Sequence, residues 1–277
     1  MLIALFIGQT GLVARWVERW LPMPAPGNGG ARTSHLDPVA LATPSLAISC
    51  AVREASHQAD VVGTMLRGIL PVLRDNDRTL AEQLRAMDDT VDALYTAIKF
   101  YLTQISREAL SEREGRRWTD VGWTDVVLFT FNMEQIGDGI ERVLQDIKDK
   151  KIRPARRFSD AGMAELCHLN ERLLANLRLG MSVFLDGPAR DAQKLLEEKA
   201  RFRELEHAYA ANHIGRLLDN TAQSIETCAL HLDLLSELKR INSHICSIAY
   251  PILENKGALA ATRLRASQLA ELDEIRH

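Results

Sequence analysis

Apolar residues recur every three to four positions over most of this chain, and long proline-free runs leave that helical period unbroken. Prolines are absent from Val72 to Arg153 and again from Ala189 to Tyr250. Cap and turn residues cut the pattern into segments. Thr43-Pro44 reads as an N-cap followed by proline at the first helical position, Thr79-xx-Glu82 and Ser111-xx-Glu114 match a capping box, and Ser159 can cap a further helix. Asp75-Asn76-Asp77 and Asp186-Gly187-Pro188 are turn sequences. These signals predict six helices, over 45–74, 79–109, 113–150, 159–185, 189–218 and 222–252. Helices of this length joined by short turns run antiparallel and bury an apolar stripe between them. The expected fold is all-α: two tandem three-helix bundles, over 44–155 and 156–254, with a tail from 255 to 277.

The N-terminal part reads differently. Met1 to Ala14 is apolar, too short to span a bilayer with the ~20 residues a spanning helix needs, and has neither the basic leader nor the cleavage site of a signal peptide. Arg15, Trp16, Arg19 and Trp20 follow, alternating cations with indoles as at a membrane interface. Residues 1–21 thus read as the end of a transmembrane or interfacial helix, or as an amphipathic helix docked on the rest. Pro22 to Gly30 has no apolar period and is rich in proline and glycine, which makes 22–43 a linker and starts the folded part after Asp37-Pro38.

Composition supports helices over sheets: 46% of residues are hydrophobic, 26% charged and only 5% aromatic. A net charge of −3 argues against nucleic acid as a partner, because there is no basic excess to neutralise phosphates. The basic stretch Lys148 to Arg157 reads as a solvated loop or a membrane-surface contact. Cys50, Cys167, Cys228 and Cys246 lack CxxC spacing, which points to a reduced setting, and His244 beside Cys246 reads as packing rather than zinc ligation. His207, His213 and His231 read as ordinary polar or core positions. No nucleophile–base pattern, phosphate-binding glycine loop or dinucleotide fingerprint occurs, so the chain reads as a non-enzyme.

The chemistry concentrates in two acidic pairs. Asp88 and Asp92 are one turn apart in the second predicted helix, and Glu134 and Asp138 are one turn apart in the third, with Gly137 between them. Facing each other, the pairs offer up to eight hard oxygens, suited to Mg, Ca, Mn or iron. The alternative is a solvated charged face. Gly137 costs about 1 kcal/mol against alanine inside a helix, which is understandable where helices approach closely or a ligand enters. The halves also look like a repeat. "DDTVDALYTAIKFYL" aligns with "KARFRELEHAYAANH", setting Asp88 on Lys199 and Asp92 on Arg203, and "NMEQIGD" aligns with "ELKRINS", setting Glu134 on Lys239 and Asp138 on Ser243. Cations cannot ligate a metal, so the first half alone keeps the acidic set.

The motif Glu134-xxx-Asp138 within "NMEQIGD" resembles the acidic motif of PhoU-like proteins. "DLLSELKRINSHICSIAYPILE", Asp233 to Glu254, resembles the end of the PhoU-like cytoplasmic domain of bacterial sodium/phosphate cotransporters. The resemblance covers roughly Pro44 to Glu254. It implies a regulatory domain on the cytoplasmic side of the bacterial inner membrane that modulates phosphate uptake by contacting a transporter's membrane domain. It also implies a multinuclear iron or zinc cofactor, or another divalent metal, at Asp88, Asp92, Glu134 and Asp138. In those cotransporters an Arg-rich exit from the last transmembrane helix precedes the domain, which favours the membrane reading of Arg15 to Trp20 and makes Met1 an internal methionine. Two other readings remain: a free-standing PhoU-like adaptor for a phosphate ABC transporter or sensor kinase, and a metal-free helical scaffold that forms homo-oligomers.

Overall fold

The computed structural model describes residues 34–105 and 122–255, and every regular element among them is helical. The expected membrane-interface residues Arg15, Trp16, Arg19 and Trp20, the linker up to residue 33, the Ser111-xx-Glu114 cap and the tail beyond 255 lie outside the described residues. Among the described residues, no helix is long and apolar enough to cross a membrane.

The chain enters through a 3-10 turn, Pro38–Ala42, opened by Asp37, whose carboxylate accepts from the Val39 N–H at 2.9 Å. Ordered contacts begin slightly before the expected start: His35 Nδ1 lies 2.9 Å from Glu54 Oε2. Helix α1 (Pro44–Asp75) ends at Asn76, whose φ of 57° is the left-handed conformation that asparagine tolerates at a helix end.

The second predicted helix is two, α2 (Arg78–Ala86) and α3 (Asp88–Thr103), with a break at Met87. Its N-cap is Asp77 rather than Thr79: Asp77 Oδ1 accepts from the Leu80 N–H at 2.9 Å, satisfying one of the orphan donors of the first turn. The break lets Asp88 and Asp89 begin a new helix, where carboxylates are favoured by the dipole. Helix α4 (Trp123–Ile147) runs on into a π-helical turn at Lys148–Ile152.

Helix α5 (Asp160–Asp186) is capped by Ser159, whose hydroxyl accepts from the Gly162 N–H at 3.2 Å, and α6 (Ala189–Leu218) follows the Gly187-Pro188 turn. The last predicted helix is interrupted twice, giving α7 (Ala222–Glu226), α8 (Cys228–Ser247) and α9 (Ala249–Asn255). At the first break the Thr227 hydroxyl bonds the Gln223 carbonyl at 2.7 Å. At the second, the ring of Pro251 would crowd the carbonyl four residues back, at Ser247.

Helices α1, α3 and α4 pack as one bundle and α5, α6 and α8 as another, with α4 against α8 and α1 against α5 joining them. One continuous core runs through both. Phe129 of α4 stacks on Phe184 of α5, with ring centroids 3.8 Å apart. Polar ties cross the same seam: Asn170 donates to the Leu66 carbonyl at 3.2 Å, and Ser247 donates to Asn132 Oδ1 at 2.8 Å. Gly139 permits a close approach of α4 and α8, because a Cβ there would meet Ile241 Cγ1 at 2.9 Å.

Candidate metal centre

Starting α3 at Asp88 sets that residue and Asp92 on one side of the helix, and the neighbouring α4 brings Asp138 to the same place. Oxygens of the three carboxylates all lie within 4.8 Å of one another. Asp88 is the inner member, only 9% exposed, and its Oδ1 is buried without a hydrogen-bond partner. Burial first, then the charges of Asp92 and Asp138, push its carboxyl up to about 7, and burial followed by Asp138 raises Asp92 as well. Gly137 makes this packing feasible: a Cβ there would stand 2.5 Å from Asp88 Oδ1 and 3.3 Å from Val91 Cγ1.

Glu134 is not among the converging oxygens. Its Oε2 accepts from the Gln135 side chain at 2.8 Å, so α4 contributes one carboxylate of its pair to the cluster and not two. Sequence reasoning missed the charged groups around the site. Glu141, one turn beyond Asp138, raises both Asp88 and Asp92 and is held by Arg85 at 2.6 Å. Arg142 Nη1 lies 3.8 Å from Asp138 Oδ2, and Arg142 Nε lies 3.4 Å from Glu237 of α8. The i+3 and i+4 spacing of Glu141 and Arg142 from Asp138 was the available signal.

The remaining candidates are dispersed. His244 Nδ1 lies 3.2 Å from Asn132 Oδ1, and Cys246 is a buried free thiol whose pKa burial pushes up to about 12. His207 is largely exposed and 3.6 Å from Glu206. His213 and His231 stack face to face, 4.5 Å apart, inside the second bundle beside Glu165 and Arg216, a buried polar cluster that sequence reasoning did not anticipate.

The donor set suits a hard cation. A buried, unpartnered carboxylate oxygen beside two further carboxylates is unfavourable as three bare anions, and a cation among them would offset the repulsion and hold Asp88 ionised. Asp88, Asp92 and Asp138 would hold such an ion, and Arg142 is placed to compete for Asp138.

Residues 56–147, from within α1 to the end of α4, match the family described as "PhoU domain". The chain is 42% identical over 223 residues to the Escherichia coli K12 protein described as "Putative inorganic phosphate export protein YjbB", covering 80% of this chain and 40% of that protein. A Salmonella typhimurium protein of the same description is 40% identical over 243 residues, covering 88% of this chain and 44% of its own length. The chain therefore spans less than half the length of the curated relatives it matches. Among solved structures, PhoU from Pseudomonas aeruginosa aligns at a TM-score of 0.63 with 16% identity, over 75% of this chain and 96% of that one. At that identity the likeness speaks to the fold. Residues 56–147 thus match a PhoU domain, and the helical fold of the two bundles is like that of PhoU.

Proposed function

We propose that this chain is a regulatory PhoU-like module that controls the passage of inorganic phosphate through a membrane transporter and performs no catalysis of its own. It acts on the cytoplasmic side of the bacterial inner membrane by docking on the transporter's membrane domain, with the N-terminal segment at the bilayer surface. The observation that carries this reading is the 42% identity over 223 residues to proteins described as phosphate exporters. That description makes efflux the direction to test first, ahead of the sodium-coupled uptake suggested by the cotransporter resemblance. The acidic cluster supplies a second element: a divalent or ferric ion bound by Asp88, Asp92 and Asp138 cross-links α3 to α4, next to the α4–α8 seam.

The test is genetic and analytical together. Removing the coding sequence for residues 44–254 from the gene is expected to change the rate of radiolabelled phosphate efflux or uptake, with restoration by the intact gene. Unchanged flux in both directions refutes the regulatory reading. Elemental analysis of the purified chain is expected to show metal that is lost in Asp88→Asn/Asp138→Asn. Equal metal content in both would leave the acids as a partner-binding or solvated face.

A further inference from the structure

The second bundle carries a pocket of about 310 Å³ between α6, α8 and α9. Its lining includes Lys199, Arg203, Lys239, Asn242, Ser243 and Tyr250. Four of these are the positions that the internal alignment sets opposite Asp88, Asp92, Glu134 and Asp138. Lys199 and Arg203 are one turn apart on α6, and Lys239 and Ser243 are one turn apart on α8. The charge is reversed relative to the acidic pairs, and among the described residues no lining residue is a carboxylate.

The positive charge is not fully offset by neighbours. Lys239 is paired with Glu206 at 2.9 Å. Among the described residues, neither Lys199 nor Arg203 has a carboxylate within ion-pair distance. Lys199 instead donates to the Tyr250 hydroxyl at 3.3 Å and lies 5.3 Å from the centre of its ring, so its ammonium is fixed at the pocket by a neutral partner. The Tyr250 O–H, with its oxygen accepting from Lys199, has its own proton free to give. An ammonium and a guanidinium fork from α6 and the Tyr250 hydroxyl from α9 form a non-planar donor set at one pocket, which fits a tetrahedral oxyanion better than a flat carboxylate, while the Ser243 hydroxyl donates to the Lys239 carbonyl at 3.1 Å. The volume is several times the ~30 Å³ of one water, leaving room for the anion with solvent or with the rest of a larger molecule.

We infer that this pocket binds a phosphate oxyanion, as inorganic phosphate or as the phosphoryl group of a larger molecule, with Lys199 and Arg203 as charge partners and Tyr250 as the hydroxyl donor. The anion class stands on the pocket alone. The choice of phosphate within that class rests on the phosphate-transport reading.

The test is titration calorimetry on the full chain, freed of metal with chelator so that no anion binds through the acidic cluster, at low ionic strength. The probes are inorganic phosphate, sulfate, glycerol 3-phosphate and vesicles containing an anionic phospholipid. Arg203→Gln is the primary variant, because Arg203 is exposed and its loss disturbs no packed core; Lys199→Gln is the second, and Arg153→Gln, the loss of an exposed cation outside the pocket, is the control. Phosphate is expected to bind, and loss of one charge-assisted hydrogen bond in either pocket variant to weaken it by about tenfold or more, with Arg153→Gln unchanged. Binding of glycerol 3-phosphate or vesicles in place of free phosphate, lost in the same variants, supports the site and identifies its source as a larger phosphoryl compound. Sulfate binding as tightly as phosphate overturns the phosphate assignment and leaves the transport reading to its own flux test. No anion binding up to about 10 mM, or binding untouched by both variants, overturns the site.

Discussion

Acid should loosen the second bundle through one imidazole. His231 is 1% exposed on α8, stacked on His213 of α6, edge-on to Phe158, and 3.4 Å from Glu165 of α5, with Arg216 of α6 across the same carboxylate. Burial first, then His213 and Arg216, lower its pKa from 6.5 to about 4, and Glu165 opposes this only in part. The folded state therefore holds the ring neutral while the unfolded chain takes up a proton between those values. Stability from this group is present above pH 6.5 and is lost as pH falls toward 4. Integrating that difference gives a loss of about 2 kcal/mol at pH 5 and about 3 kcal/mol below pH 4.

Asp88 of the metal-free first bundle works in the opposite sense. Its carboxyl is raised from 3.8 to about 7, so its contribution grows as pH falls through that window. A single melting curve thus mixes two opposing slopes. The clean measurement is urea unfolding of the wild type and His231→Gln at pH 8 and at pH 5. The wild type's advantage over the variant is expected to shrink by about 2 kcal/mol between the two, corresponding to roughly 4–8 °C in Tm. An advantage that is the same at both pH values would refute the reasoning and mean that the ring is protonated in the fold or reached by water.

Gly137→Ala gains about 1 kcal/mol of helix propensity but drives a methyl into Asp88 and Val91, and overpacking costs about 1–3 kcal/mol. The expected outcome is a net loss of stability together with weaker Mn²⁺ binding by calorimetry; a more stable variant with unchanged metal binding would show that the α3–α4 contact yields easily. Arg216→Met removes the cation that reaches both oxygens of Glu165 at 3.0 and 2.7 Å and leaves a buried carboxylate without that charge, with Asn212 still donating to it at 3.2 Å, which costs about 3 kcal/mol in urea unfolding. A loss below about 1 kcal/mol would mean that solvent reaches Glu165.

Much of the helical layout was legible locally. The Asp75-Asn76-Asp77 and Asp186-Gly187-Pro188 turns end helices where expected, and Ser159 caps α5, because turn and cap chemistry involves residues within four positions of each other. The same locality exposed the acidic pairs and their cationic counterparts, since i, i+4 spacing needs only the helical period. The break at Met87 escaped this reading, and with it the use of Asp77 as the cap. So did the sorting of Glu134 away from Asp88, Asp92 and Asp138, because which side of a helix faces its neighbour depends on how the whole helix is rotated against the core. The Glu165, His213, Arg216 and His231 cluster draws on three helices, and the Phe129–Phe184 stack joins two bundles. Their pairing is decided by packing between distant segments, where burial of shape and charge outweighs any preference the local sequence expresses.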